Sequence, residues 1–206
     1  MLDNPPFENG EKVLCEMHGK NAEMLMTIYV RRCRTGEKIE FLESSNETAI
    51  LLLRGEVRFT WAGGISTGKR ASPFERTPYC LHFCRNTKVV VEALSDSEII
   101  VQQTENEKSF PAVFYTPENC LYQEFGKGQW NGAGHRIVST MFDLSNAPYS
   151  NMVMGEVFNQ PGKAHQQVAA PGFTMYYVWM IRHLDGDPWD KTRIYIPEHE
   201  WLVHAQ

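Results

Sequence analysis

The chain lacks any long apolar run: its stretches of that kind, Ala49 to Leu53 among them, fall far short of the roughly 20 residues a membrane helix requires. It also lacks a basic-then-apolar export segment near its start, where Asp3, Pro5, Pro6 and Glu8 stand instead. Basic clusters are equally scarce, none exceeding Arg31-Arg32-Cys33-Arg34, and 20 Lys and Arg against 25 Asp and Glu leave a net charge of -5. Phosphate backbones gain no long-range attraction from such a surface. Neither nucleic acid nor membrane is an expected partner, and the expected setting is soluble and cytoplasmic.

Cysteine is sparse and odd in number, five in 206 residues, which argues against a disulfide framework and for reduced, buried thiols. Catalytic signatures are missing too: no GxSxG elbow, no HExxH, no GxGxxG and no paired CxxC occurs. Gly63 to Lys69 imitates the start of a phosphate-cradling loop, but Arg70 replaces the magnesium-binding hydroxyl, and the segment lies between strand-like runs. It reads as a hairpin connection. Cys80, His82 and Cys84 alternate and would share one strand face, as a metal site or, on the better reading, as packed polar and thiol groups.

No long 3.6-residue apolar stripe with caps is present, which disfavours helical bundles and doubly wound folds. What is present is a succession of short strand-like runs: Met26 to Val30, Ala49 to Leu53, Glu56 to Trp61, Tyr79 to Phe83, Val89 to Leu94 and Glu98 to Gln102. Turn pairs such as Arg54-Gly55 and Arg85-Asn86 are expected to separate some of them. The pattern resumes in Ile137 to Phe142, Met152 to Phe158 and Phe173 to Ile181. The expected organisation is all-β, with one unit over 1–110, a Pro-bearing connector over 111–131 and a second unit over 132–206.

Four segments carry a resemblance. Met152 to Gly162 (MVMGEVFNQPG) and His165 to Tyr177 (HQQVAAPGFTMYY) are similar to the corresponding strands of the 5-deoxy-glucuronate isomerase and 5-keto-4-deoxyuronate isomerase family. Pro197 to Leu202 (PEHEWL) resembles its closing PxHxW segment, and Phe74 to Pro78 (FERTP) its FERxP run. The resemblance implies a bicupin, two tandem β barrels. It implies an aldose–ketose isomerase of sugar acids in inositol or uronate catabolism, using a divalent metal such as zinc, manganese or iron. Such an ion polarises the substrate's carbonyl and neighbouring hydroxyl while a base moves the proton.

By that resemblance His165 matches the last histidine ligand, whereas the family's HxH pair and carboxylate have no counterpart between Gly162 and His165. The second barrel is thus expected to be truncated, and its open edges to pair with another copy of the chain. Tyr176, Tyr177 and Trp179, with Arg136 and Arg182, are expected to line the open barrel and meet a sugar carboxylate. The alternative function is a non-catalytic cupin that binds a carbohydrate acid or serves as an oligomeric structural or regulatory partner. Glu156 is expected to face solvent by alternation, His135 and His183 lie outside the metal-bearing segments, and His199 and Trp201 are expected to latch the tail.

Overall fold

The computed structural model describes residues 5–127, 135–159, 174–190 and 197–198. Its strands are β1 (Glu11–Cys15), β2 (Thr27–Cys33), β3 (Lys38–Phe41), β4 (Asn46–Trp61), β5 (Gly64–Arg70), β6 (Cys80–Phe83), β7 (Val89–Ala93), β8 (Ser97–Glu105), β9 (Val113–Tyr115), β10 (Leu121–Phe125), β11 (Arg136–Phe142), β12 (Met152–Asn159) and β13 (Met175–Arg182). Short 3-10 turns lie between them at Ala22–Met24 and Pro73–Glu75.

Strand β4 organises the first half. Ala49 to Leu53 and Glu56 to Trp61, read from sequence as two strands parted by a turn, are one strand of 16 residues. Arg54-Gly55 bends it instead of ending it. Gly55 sits at φ +101°, and a Cβ there would stand 2.1 Å from Ser97 Oγ and 2.6 Å from Ser97 Cα, so only glycine allows β8 to approach this closely. The ladder with β8 shifts register between Leu52 and Arg54, and the inward positions change from Ile50 and Leu52 to Val57 and Phe59.

Through this bend β4 serves two layers. One runs β1-β2-β8-β4-β6-β9, and the other pairs β4 with β5 and with β7, which in turn pairs with β3; all ladders are antiparallel. Between them lies an apolar core that includes Phe41, Ile50, Leu52, Phe59, Leu81, Phe83, Val91, Ile99 and Val101. Alternate residues of the same strands, Ile28, Ala49, Leu51, Cys80 and Ile100, face the other way and form a second core with Met141, Phe142, Met152 and Met154 of the second half. Gly63 lies in the tight β4–β5 hairpin, where Trp61 pairs with Gly64, and Lys69 is tied to Glu56 at 2.9 Å on its surface. The imitation phosphate loop is therefore a hairpin.

The second half contributes a four-stranded antiparallel sheet, β10-β11-β12-β13. The stretch expected to be a connector gives a strand to each unit: β9 pairs with β6 and β10 pairs with β11. In the run Arg31 to Arg34, on β2 and just beyond, Cys33 turns into the core while Arg31 is bonded to Glu11 and Glu37 and Arg32 to Glu98. All five cysteines are free thiols. Among the described residues no helix is long and apolar enough to cross a membrane.

Candidate functional site

The registers of β10 to β13 assign every side chain of the second sheet to a face. Tyr122, Ser139, Glu156 and Val178 lie across from one another on the face toward the first half; Leu121, Thr140, Gly155 and Trp179 lie on the outward face one step along. Period two then separates the residues expected to work together. Arg136, Tyr177 and Trp179 share the outward face, whereas Tyr176 and Arg182 point at the first half. The five therefore do not line one cavity, because neighbours on a strand take opposite sides.

The inward face holds the largest departure from expectation. Glu156 does not face solvent: it is fully buried, and Arg70 grips it with Nη1 at 2.6 Å from Oε1 and Nη2 at 3.2 Å from Oε2. Alternation misleads here because β12 is buried on both faces. The remaining guanidinium hydrogens go to the carbonyls of Leu52 at 3.0 Å, Pro73 at 2.6 Å and Ser72 at 3.2 Å, so all five donors are satisfied in a side chain with almost no exposure.

Tyr176 donates its hydroxyl to Glu156 Oε1 at 2.6 Å, and burial together with that carboxylate pushes its pKa far upward. Its ring meets Phe74 at 6.0 Å and Phe158 at 5.2 Å. Arg70 and Phe74 of the first half and Glu156, Phe158 and Tyr176 of the second, far apart in sequence, thus meet at one contact. Tyr176 is a structural partner in it, not a free ligand contact. Arg70 entered the sequence reading only as the residue that spoils a phosphate loop; the signal of its buried role was a charged residue two positions from Gly68 in a strand whose alternate positions turn inward.

A second buried network fastens the halves farther along. Glu47 accepts from the main-chain N–H of Asn151 at 2.6 Å and from Ser150 Oγ at 3.0 Å, and pairs with His82 Nε2 at 3.0 Å. The His82 ring stacks on Phe142 at 4.0 Å. Cys80 Sγ lies 3.8 Å from Met154 Sδ and Cys84 Sγ 3.5 Å from Thr87 Oγ1, so the alternating Cys80, His82 and Cys84 are a packed face.

The outward face carries buried polar groups of its own. The Trp179 indole lies across Gly155, where a Cβ would come 2.1 Å from its Nε1, and its ring meets Trp189 at 5.1 Å. Trp179 Nε1 and Thr140 Oγ1, cross-strand from Gly155 on either side, are buried without hydrogen-bond partners. Arg136 lies over the Phe125 ring at 4.8 Å and lowers the pKa of Tyr177, which burial raises by more. A cavity of about 510 Å³ borders this side, with Ile181, Asp187, Trp189 and Asp190 in its wall.

Arg182 sits at the end of β13, donating through Nε to Thr104 Oγ1 at 2.9 Å and through Nη1 to the carbonyl of His183. His183 is buried with neither ring nitrogen bonded, and that burial, with Arg182 adjacent, depresses its pKa. His135 pairs with Glu124 at 2.7 Å. His165, His199 and Trp201 lie outside the described residues.

The sequence profile of the KduI/IolB family matches residues 1–165. The chain belongs to that family. In fold it is similar to an IolB-like protein from Salmonella typhimurium LT2, with 22% identity and a TM-score of 0.67 over 78% of this chain and 60% of that one. A putative glyoxylate-induced protein from Pseudomonas aeruginosa (10% identity, TM-score 0.56, 74% and 55% covered) and Ylba from E. coli (12%, 0.55, 78% and 62%) share the architecture. No curated protein matches the chain in sequence. The chain therefore has the all-β, cupin-type tandem fold of the KduI/IolB family, and it spans about three-fifths of the IolB-like protein's length.

The divalent metal implied by the family resemblance needs at least three converging N, O or S donors. Among the described residues no three His, Cys, Asp or Glu side chains converge, since Glu156 is held by Arg70 and His82 by Glu47. These residues do not fit such an ion, and none of them is assigned to one.

Proposed function

We propose that this KduI/IolB member binds a sugar acid on the outward face of its second sheet and interconverts the aldehyde and ketone forms of that acid. The observation that carries the reading is the pair of unpartnered donors, Trp179 Nε1 and Thr140 Oγ1, beside the Trp179–Trp189 platform in a chain of this family. A sugar offers apolar C–H faces to such rings and hydroxyls to such donors, while Arg136 on the same face suits a carboxylate. The reaction removes the proton on the carbon beside the carbonyl and returns it to the former carbonyl carbon through an enediol.

The test is proton NMR of 5-deoxy-glucuronate and 5-keto-4-deoxyuronate incubated with the protein, as purified and with zinc, manganese or iron added. Interconversion with loss of rate in Trp179→Leu supports the proposal. No turnover under any of these conditions overturns the catalytic part.

A non-catalytic sugar-acid cupin is the second reading, favoured by the absence of a three-donor cluster among the described residues. A rise in thermal midpoint with hexuronates, without turnover and without metal bound to the purified chain, separates it from the first. We also propose a cytoplasmic homo-oligomer in which β10 and β13, the outer strands of the second sheet among the described residues, meet another copy. Its solution mass decides that point.

A further inference from the structure

A cleft of about 540 Å³ opens on the seam between the halves, and Arg182 stands between it and the cavity beside Trp189. Arg85 reaches it from the turn after β6, Lys108 from the segment after β8 and Arg182 from the end of β13. These cations differ in how they are held. Arg182 is anchored by Thr104 with its side chain only 15% exposed, and its nearest acid, Asp185, stands 4.0 Å away in open solvent. Among the described residues Lys108 Nζ is hydrogen-bonded to the Pro148 carbonyl alone, at 3.5 Å. Arg85 Nε is buried with no hydrogen-bond partner at all.

A half-buried guanidinium whose Nε–H is removed from water and left unbonded loses solvation that a ligand oxygen would restore. Arg forks match carboxylates in a planar, two-point fashion. The acids of the same cleft, Glu105, Glu107 and Asp185, are exposed, as is Lys108, whereas Arg85 and Arg182 are partly buried, so the two guanidinium groups lie deeper than the carboxylates of the rim. That polarity selects against a compact dianion such as phosphate, which the rim would repel, and for a singly charged acid with hydroxyls that donate to rim carboxylates. Asn106 and Asn151, fixed by bonds to the carbonyls of Tyr149 and Glu105, complete a polar wall.

We propose that this cleft is a binding site for a small hydroxy acid, with the ligand carboxylate on Arg85 and Arg182 and its hydroxyls on the rim. The ligand bridges both halves, so its binding stabilises their packing. The site is independent of the isomerase reading, and Arg85 plays no part in that reaction.

The test follows the Arg85 Nε–H signal in nitrogen-proton spectra of the full chain, identified by its loss in Arg85→Gln. D-Gluconate is expected to shift it saturably, D-glucose to leave it unmoved, and inorganic phosphate to bind at least about tenfold more weakly. In Arg85→Gln, gluconate affinity by calorimetry is expected to fall about tenfold or more, the loss of one charged hydrogen-bonding partner, with isomerase turnover unchanged. An unmoved Arg85 signal at tens of millimolar gluconate, an equal response to glucose, or phosphate binding as tight as gluconate overturns the proposal. The spectra of the unmodified protein decide it even if Arg85→Gln folds poorly.

Discussion

Arg70 and Glu156 are 86 residues apart in sequence and form a two-point ion pair with no solvent exposure of either side chain. One belongs to the hairpin strand β5 of the first half, the other to the middle of β12. The pair is a register pin: Glu156 finds five-donor Arg70 only if β12 presents its even-numbered residues to the first half. A one-residue slip would bury Val157 against the guanidinium and turn Glu156 to the outward face.

Removing one partner is therefore expected to cost far more than removing both. Glu156→Leu leaves a buried guanidinium uncompensated and is expected to lower unfolding stability by about 3–5 kcal/mol, with Arg70→Met similar. The double variant is expected to recover most of that loss. Urea unfolding of the four proteins, read as a double-mutant cycle, checks this; additive losses would mean that the pair is not coupled.

Gly155→Ala tests the outward face. Its Cβ collides with the Trp179 indole, which sits against Trp189, so the ring must move. A stability loss of roughly 1–3 kcal/mol and a shifted tryptophan emission are expected. Combining it with Trp179→Leu should restore most of the stability, because the smaller side chain leaves room for the methyl group.

His183 gives the protein an acid sensitivity of defined sign. Its folded pKa lies below the unfolded value of 6.5, so near and below that pH the unfolded chain binds more protons than the folded one. Stability from this group is complete above about 6.5 and falls as pH drops toward and through the depressed value. Thermal midpoints are expected to decline from pH 7 to 5, and His183→Leu to flatten that slope. The depressed Glu37 and Glu98, each held by arginines, add their own losses only below their ordinary value of 4.5.

Thiol chemistry should be slow in the folded state. Burial pushes Cys33 up to about 11 and Cys120 up to about 12, and Cys80 well above its ordinary value, which leaves little thiolate at pH 8. Intact mass after brief iodoacetamide treatment is expected to show these three unmodified, and all five cysteines modified once denaturant is added.

The all-β class and many of the strands were legible in the sequence, whereas β1, β3, β5, β9 and β10 were not. Period-two runs in β2, β6, β7 and β8 and in β11 to β13 were legible because alternation follows from backbone geometry alone. The segments around Phe74 and Gly155 carried the family. Tertiary structure decided which face each strand buries. Met152 to Phe158 is enclosed on both sides, so no local pattern marked Glu156 as inward, and its partner Arg70 is brought to it only by packing of the two halves. Arg54-Gly55 carried the chemistry of a turn, yet the close approach of Ser97 made it the bend of one long strand. Tyr176 and Tyr177 were equivalent as neighbours in sequence; the pleat sent one to the buried carboxylate and the other to the outward face, because adjacent side chains on a strand take opposite sides.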